Sequence, residues 1–302
     1  MKRARIIYNP TSGRELFKKN LPKVLQKFEQ AGYETSCHAT TSEGDAVKAA
    51  KSAAERQFDL IIAAGGDGTL NEVVNGLAPL EKRPRLGVIP VGTTNDFARA
   101  VGIPREDILK AVDTILEGET RSIDIGRVNE QYFINIAGGG RLTELTYDVP
   151  SKLKTMLGQL AYYLKGMEML PSLRPTEVEI EYDGKLFSGE VMLFLVMLTN
   201  SVGGFEKLAP DSSLNDGMFD LIILKRSNLA EFIKVAGLAL RGEHIHHEHV
   251  IYTKANRVKV TVKDKMLLNL DGEYGGQLPG EFENLYHHLD VIMSKEKAEK
   301  LN

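Results

Sequence analysis

The chain predicts a three-layer α/β domain followed by a mainly antiparallel β-sandwich. Three observations carry this. Short apolar runs alternate with amphipathic helical patterns through the first third of the chain. After about Asp124 strands dominate, separated by turn residues. At residues 61–77 the stretch IIAAGGDGTLNEVVNGL joins a buried strand to a helix through glycines interrupted by one aspartate.

In chain order, ARIIY (4–8) reads as a buried strand and LPKVLQKFEQAG (21–32) as a helix closed by Gly32. ETSCHAT (34–40) is a short strand, and GDAVKAAKSAAERQ (44–57) is an alanine-rich helix charged on one side. FDLIIAAGG (58–66) is a strand, TLNEVVNGL (69–77) a helix and RLGVIPVG (85–92) a strand. TTNDFARAVG (93–102) and REDILKAVDTILEG (105–118) are helices ended by Gly102 and Gly118. Strand and helix in turn imply parallel strands with crossover helices.

Beyond that, QYFINIAGGG (131–140), TEVEIEYDG (176–184), KLFSGEVMLFLVMLTN (185–200), GMFDLIILK (217–225), NRVKVTVKD (256–264) and KMLLNLDGEYGG (265–276) read mostly as strands, with turn chemistry such as Asp183-Gly184 between them. Helical patterns interrupt at 150–170 and 228–241. The expected domains are 1–124, completed by the charged segment 290–302, and a sandwich over 125–289.

Composition narrows the classes. An apolar fraction of 42% over 302 residues suits a soluble protein with a sizeable core. A net charge of -3 argues against a general draw to nucleic acid. The single cysteine, Cys37, excludes an internal disulfide or a thiolate zinc cluster and fits a reducing compartment. The basic start MKRARIIYNP has too short an apolar core for a signal peptide. The longest apolar run, VMLFLVML at 191–198, is far short of the ~20 residues a spanning helix needs. A cytoplasmic protein able to work at a membrane surface is expected.

The glycine stretch lacks the third glycine of G-x-G-x-x-G and is not a P-loop. Its physics is still that of a phosphate site, with glycines that admit a ligand close to the backbone and a helix start that offers N–H groups to an anion. Asp67 at that turn makes sense if a divalent cation lies between it and the phosphates, reached directly or through water. The plainer reading is a βα turn with a solvent-facing aspartate. GVIPVGTTNDFAR (87–99) is a second such turn, where Thr93, Thr94 and Asp96 also read as helix caps. YNPTSGR (8–14) and ATTSEGD (39–45) add two more polar loops after strands. Four polar loops at one edge of a parallel sheet describe a nucleotide cleft.

With GGDGTLNEVVNGL, NPTSG upstream, GVIPVGTTNDFAR downstream, and PDSSLNDGMFDL and NLDGEYGG in the second half, the chain resembles the soluble bacterial diacylglycerol kinases over nearly its whole length. GGDGT alone is less specific, since NAD kinases and some phosphofructokinases carry similar signatures. The resemblance implies transfer of the ATP γ-phosphoryl to the hydroxyl of diacylglycerol, with magnesium, by a peripheral membrane enzyme that forms a homodimer. It implies that Asn9, Pro10, Thr11, Ser12, Gly13, Thr41, Gly66, Asp67, Gly68, Thr69, Leu70, Asn71, Glu72 and Thr94 line the ATP site. Asp67, Asp96 and Asp124 would belong to the network around the catalytic magnesium, and Ser213, Asp216 and Met218 would hold a second, structural magnesium. Met218 would contribute its carbonyl, its side chain having no hard oxygen. In DGEYGG, Asp271 would take the hydroxyl proton, with Glu273 as the alternative and a plain Asp-Gly turn as the bland competitor. An NAD kinase-like enzyme, a kinase of another hydroxyl lipid, and a non-catalytic nucleotide-dependent regulator are the rival readings.

Two further features stand apart. The histidine-rich EHIHHEH (243–249) reads as a solvated loop in preference to a metal tract. Residues 151–175 carry Lys152, Lys154, Lys165 and Arg174 against Glu168, with Leu153, Met156, Leu157, Leu160, Tyr163, Leu164 and Met167 at helical spacing. This reads as a helix packed on the sandwich or on a partner subunit, or as a basic surface meeting anionic lipid.

Overall fold

The computed structural model describes residues 1–140, 175–200, 205 and 207–301, the side chain of residue 14 excepted. It divides into two compact units, Met1–Ile123 with His287–Asn302, and Asp124–Tyr286. The predicted fold class holds: an α/β part, then a mainly antiparallel β-sandwich. The basic segment 151–174 and the helical pattern at 150–170 lie outside the described residues.

The first unit alternates strand and helix. Strands β1 (Lys2–Tyr8), β2 (Tyr33–Ala39), β3 (Leu60–Gly65) and β4 (Arg85–Pro90) are parallel, in the order β4-β3-β1-β2. Helices α1 (Leu16–Gln30), α2 (Asp45–Glu55), α3 (Asp67–Leu77), α4 (Asp96–Ala100) and α5 (Ile108–Glu117) are interspersed with them. β3 is buried along its whole length, as a central parallel strand must be when helices cover both faces. Each long helix lays one apolar stripe on the sheet, such as Phe17, Val24 and Phe28 of α1. Asp107 starts α5 by accepting from Leu109 N and Lys110 N.

The second unit holds the latter half of β5 (Glu119–Val128), then β6 (Gln131–Phe133), β7 (Ile136–Gly139), β8 (Thr176–Tyr182), β9 (Lys185–Met197) and β10 (Phe219–Lys225). Helix α6 (Leu229–Ala239) follows, then β11 (Val250–Ala255), β12 (Arg257–Val262), β13 (Leu267–Leu270) and β14 (Glu273–Gln277). The last strand, β15 (Gly280–Met293), pairs antiparallel with β12 and then parallel with β4, where Val291 faces Leu86. Helix α7 (Lys295–Glu299) ends the fold. The hairpin β8–β9 turns on Asp183-Gly184, both with positive φ (44° and 79°), the backbone a two-residue I′ turn requires.

β10 is buried on both faces and separates two cores. Phe219, Leu221 and Ile223 face a cluster that includes Phe133, Phe194 and Phe282. Ile222 and Leu224 face a second cluster roofed by Val235 and Ala239 of α6.

Three expectations change. The predicted strand 131–140 is two strands, broken where the N–H groups of residues 134 and 135 turn to the carboxylate of Asp271. Strands β5, β11 and β15 were not read from the sequence; β15 mixes charged and aromatic residues and is broken in character by His287 at φ 49°. The histidine tract is not simply solvated: His244 begins a 3-10 turn (His244–His246) and is only 2% exposed, and burial holds its pKa below the usual imidazole value.

Candidate functional site

The strand order places β1 between β2 and β3, so the chain goes from β1 to β2 on one side and then builds β3 and β4 on the other. Such a switch point opens a crevice at the carboxyl ends of the two diverging strands. The loops after β1 and β3 meet there, Asn9 N donating to Ala64 O over 3.2 Å. Asn9 Oδ1 accepts from Thr11 N (3.0 Å) and Thr11 Oγ1 (2.9 Å), closing the loop on itself. Ser12 begins a 3-10 turn in which Gly13 has φ +55°. A Cβ on Gly13 would stand 2.5 Å from Val91 O, so this loop presses on the turn after β4.

The turns after β3 and β4 are backbone against backbone. A Cβ on Gly92 would lie 2.5 Å from Gly66 Cα, and Val91 N donates to Gly65 O at 2.8 Å. This explains the glycines without any ligand, and it also leaves a bare backbone surface at the start of α3. The first-turn N–H groups of a helix have no intrahelical acceptors. Asp67 opens α3, where its charge suits the helix dipole. Its Oδ2 accepts from Thr94 Oγ1 (2.8 Å) and Asn95 N (3.0 Å). Asn95, at φ 50°, in turn bridges Gly92, accepting from its N and donating to its O. Asp96, 8% exposed, starts α4 in the same turn.

The remaining predicted nucleotide residues divide by role. Gly68 and Thr69 lie in the first turn of α3. Leu70 is 3% exposed and belongs to the core, so only its backbone is open to a ligand role. Asn71 accepts from Asn75 Nδ2. Glu72 Oε2 accepts from Ala46 N at 3.0 Å and so caps α2. Thr41 N and Oγ1 donate to Asp45 Oδ2 (2.8 and 3.0 Å), and those bonds, aided by His38, hold the Asp45 pKa below its ordinary value. Pro10 lies between Asn9 and Thr11 in the first loop. Asn95 and Asp45 escaped the sequence reading as ordinary loop residues, since only pairing in space exposes them as the turns' own brackets.

In the second unit Asp271 and Gly272, at φ 52° and 94°, form a two-residue hairpin between β13 and β14. The turn is more than a turn. Asp271 is 7% exposed, and its carboxylate takes three consecutive backbone donors: Ile134 N on Oδ2 (2.9 Å), and Asn135 N (2.8 Å) and Ile136 N (2.9 Å) on Oδ1. Its own N donates to Ile136 O. Glu273, at the start of β14, is exposed.

The loop 213–218 is tied to Asp124, which is fully buried and accepts from Gly217 N at 2.6 Å. Ser213 Oγ donates to Asn215 Oδ1, and Asp216 Oδ1 accepts from Met218 N. Lys254 Nζ stands 2.6 Å from Asp216 Oδ2 and 3.8 Å from Asp220 Oδ2. Asp220 is 1% exposed; burial pushes its pKa up, against the Tyr252 hydroxyl that donates to it at 2.5 Å. Asp220 and Lys254 face each other across β10 and β11, an opposite-charge pair that is invisible until the register is known.

Among the described residues no group of three or more His, Cys, Asp or Glu side chains gathers as a metal cluster, so a magnesium ion at either place would rest on few carboxylates, with carbonyls, phosphates or water completing its shell. Asp67 and Asp96 offer hard carboxylate oxygens beside a phosphate-type backbone cradle; Ser213, Asp216 and the Met218 carbonyl offer hard oxygens on one loop. Lys254 already supplies a cation to Asp216, so a metal there would share or displace that contact.

Fold and crevice together define an α/β unit with a glycine-walled crevice, carried with a β-sandwich. The family model of the diacylglycerol kinase catalytic domain matches residues 3–128, and that of the YegS C-terminal NAD kinase beta sandwich-like domain matches residues 146–293. Diacylglycerol kinase of Bacillus subtilis (strain 168) is 83% identical over 302 residues, 100% of both chains. Diacylglycerol kinase of Staphylococcus carnosus (strain TM300) is 58% identical over 98% of this chain and 96% of its own. A crystal structure described as a diacylglycerol kinase from Bacillus anthracis str. Sterne superposes with a TM-score of 0.83 at 30% identity, covering 98% of each chain. The chain belongs to the diacylglycerol kinase family.

Proposed function

We propose that this chain transfers the γ-phosphoryl group of ATP to the free hydroxyl of diacylglycerol, giving phosphatidic acid and ADP. The observation that carries the reading is the glycine-walled crevice between β1 and β3, with Asp67 bracketed at the head of α3, in a chain 83% identical to a named diacylglycerol kinase. Asn9 to Gly13, Thr41, Gly66 to Glu72 and Thr94 are the proposed nucleotide residues. Backbone N–H groups of the α3 start bind phosphate oxygens, and the Asp67 bracket keeps that start fixed.

Magnesium, held by Asp67 and Asp96 with Asp124 in the wider network, would neutralise charge on the phosphates during transfer. Ser213, Asp216 and the Met218 carbonyl would hold the structural ion. In the transfer the acceptor O–H breaks, its oxygen bonds the γ-phosphorus, and ADP departs. The proton passes to a carboxylate of the DGEYGG turn. Three backbone donors hold the buried Asp271 carboxylate, whereas Glu273 is exposed, which supports Glu273 as the acceptor and Asp271 as the residue that positions the turn. A cytoplasmic enzyme, peripheral at the inner membrane face and dimeric, fits this substrate and remains part of the proposal.

One observation favours a second reading, phosphorylation of a soluble nucleotide: the C-terminal family model is NAD kinase sandwich-like. Labelled ATP offered with dispersed diacylglycerol, ceramide or NAD separates the two. Label in phosphatidic acid supports the proposal, label in NADP or in ceramide phosphate replaces it, and no labelled product sinks it.

A further inference from the structure

Helix α6 is apolar nearly all round. In LAEFIKVAGLA only Glu231 and Lys234 are polar. Its inner face places Val235 and Ala239 in the second core, with Phe232 packed against it. Its outer face carries Leu229 at 48% exposure and Ile233 at 53%, and Leu240 just beyond the helix is 59% exposed. At 3.6 residues per turn these three fall within about 40° of one another. The other exposed large hydrophobics among the described residues are scattered: Met1, Leu16, Leu186, Tyr274 and Tyr286. A surface helix ordinarily turns polar residues outward, so an apolar outer ridge marks a face that something covers.

We propose that α6 is a membrane-docking helix. The ridge of Leu229, Ile233 and Leu240 enters the headgroup–acyl boundary, and cations beside it meet anionic headgroups. Lys234 and Arg241 lie together on one flank of the ridge, and Arg226 precedes the helix. Apolar residues bordered by Lys and Arg are the pattern of helices that lie in a bilayer interface. Arg226 and Arg241 also reach Glu190 and Glu243, at 2.6 and 3.0 Å, whereas Lys234 is exposed and has no carboxylate partner among the described residues. Apolar insertion therefore carries most of the binding and charge a smaller share.

Size argues against a second copy as the occupant. Three half-exposed side chains make a narrow ridge, far short of the roughly 20–30 residues and ~800 Å² per partner of a stable protein interface. An inserted helix needs no matching surface. The purpose of the docking, bringing the enzyme to its lipid, rests on the lipid-kinase reading; the docking itself is measured without it.

The test is sedimentation of the full chain with phosphatidylcholine vesicles, with and without phosphatidylglycerol, for the native protein, Ile233→Gln, the double variant Ile233→Gln/Leu240→Gln, and Lys234→Gln. The double variant should lose about tenfold or more in vesicle partition, and Ile233→Gln part of that. Lys234→Gln should lose a few-fold, on anionic vesicles only. Melting temperatures, and turnover on a water-soluble short-chain diacylglycerol, should not change. Native partition by the double variant overturns the proposal. So does a native dimer that the double variant turns into a monomer while partition is unchanged, which would make the ridge a contact between copies. A native chain that docks through the ridge but phosphorylates no lipid leaves the docking standing and removes the kinase reading.

Discussion

The Thr94 hydroxyl donates to Asp67 Oδ2 over 2.8 Å, joining the turn after β4 to the head of α3. The bond is partly buried, so Thr94→Val should cost about 1 kcal/mol of stability. ATP affinity should fall with it, since the head of α3 loses the Thr94 donor while Asn95 N remains. Thr94→Ser keeps the hydroxyl and should restore both. Urea unfolding with ATP calorimetry checks this; equal ATP affinity in all three proteins would detach the bracket from nucleotide binding.

Gly92→Ala should be among the most damaging single-methyl changes in the first unit. The added Cβ meets Gly66 Cα at 2.5 Å, and backbone cannot give way as a flexible side chain does. A loss of about 1–3 kcal/mol is expected from such overpacking. Gly237→Ala is the matched control. It sits in α6 with no atom within 4 Å of the added carbon, so helix propensity should stabilise it by about 0.5–1 kcal/mol. Melting curves of the two proteins should move in opposite directions.

Local constraint explains how much of this was legible beforehand. The glycines at 65, 66 and 92 announce turns because their conformational freedom is written in the sequence, and Asp183-Gly184 announces a hairpin for the same reason. The partners of Asp271 lie some 135 residues away, and no local pattern names them. Glu72 stands in GGDGTLNE among the proposed nucleotide residues, but nothing local shows that it also caps α2, because only the packed helices bring it to Ala46 N. The helical pattern at 228–241 was readable, but which side faced outward was not: with apolar residues all round, periodicity gives no direction.

His244 makes stability depend on pH. Burial lowers its pKa in the folded chain below the unfolded value of ~6.5. The folded state therefore binds fewer protons than the unfolded state once pH falls below that value. Its contribution is fully present above pH ~6.5 and is lost as pH falls from there toward the folded pKa. The slope of unfolding free energy with pH should rise toward one proton in that window and should flatten in His244→Gln. An unchanged slope in the variant would assign the acid sensitivity elsewhere.

The contact of Lys254 with Asp216 makes the 213–218 loop testable for metal. If magnesium binds there, it should raise the melting temperature and a chelator should reverse the rise, since ligand at ~100 times its Kd adds about 2.7 kcal/mol. Lys254→Gln removes the competing ammonium and should strengthen the magnesium response, while Asp216→Ala should abolish it. A melting temperature indifferent to magnesium in all three proteins would leave Lys254 as the loop's own cation.

Asp271 and Glu273 are two residues apart and should fail in different ways. Asp271 is a structural acceptor: Ile134, Asn135 and Ile136 all point their N–H groups at it, and the residue is buried. Asp271→Asn keeps the shape and the turn propensity but sets an NH2 against at least one of those donors. An unpaired buried donor costs about 1–3 kcal/mol, so melting should drop and turnover should fall through misplacement of the hairpin. Glu273 is exposed at the start of β14, and Glu273→Gln should leave melting unchanged. If it takes the hydroxyl proton, the variant should lose ~10²–10⁴ in kcat, about 3–5 kcal/mol of barrier. ATP affinity should survive in Glu273→Gln, because the proposed nucleotide residues all belong to the first unit. The measurements are kcat with dispersed diacylglycerol, ATP binding by calorimetry, and thermal unfolding. Native melting with collapsed kcat in Asp271→Asn, beside an active Glu273→Gln, would return the proton to Asp271. Activity in both variants would reduce DGEYGG to a hairpin and move the proton acceptor out of it.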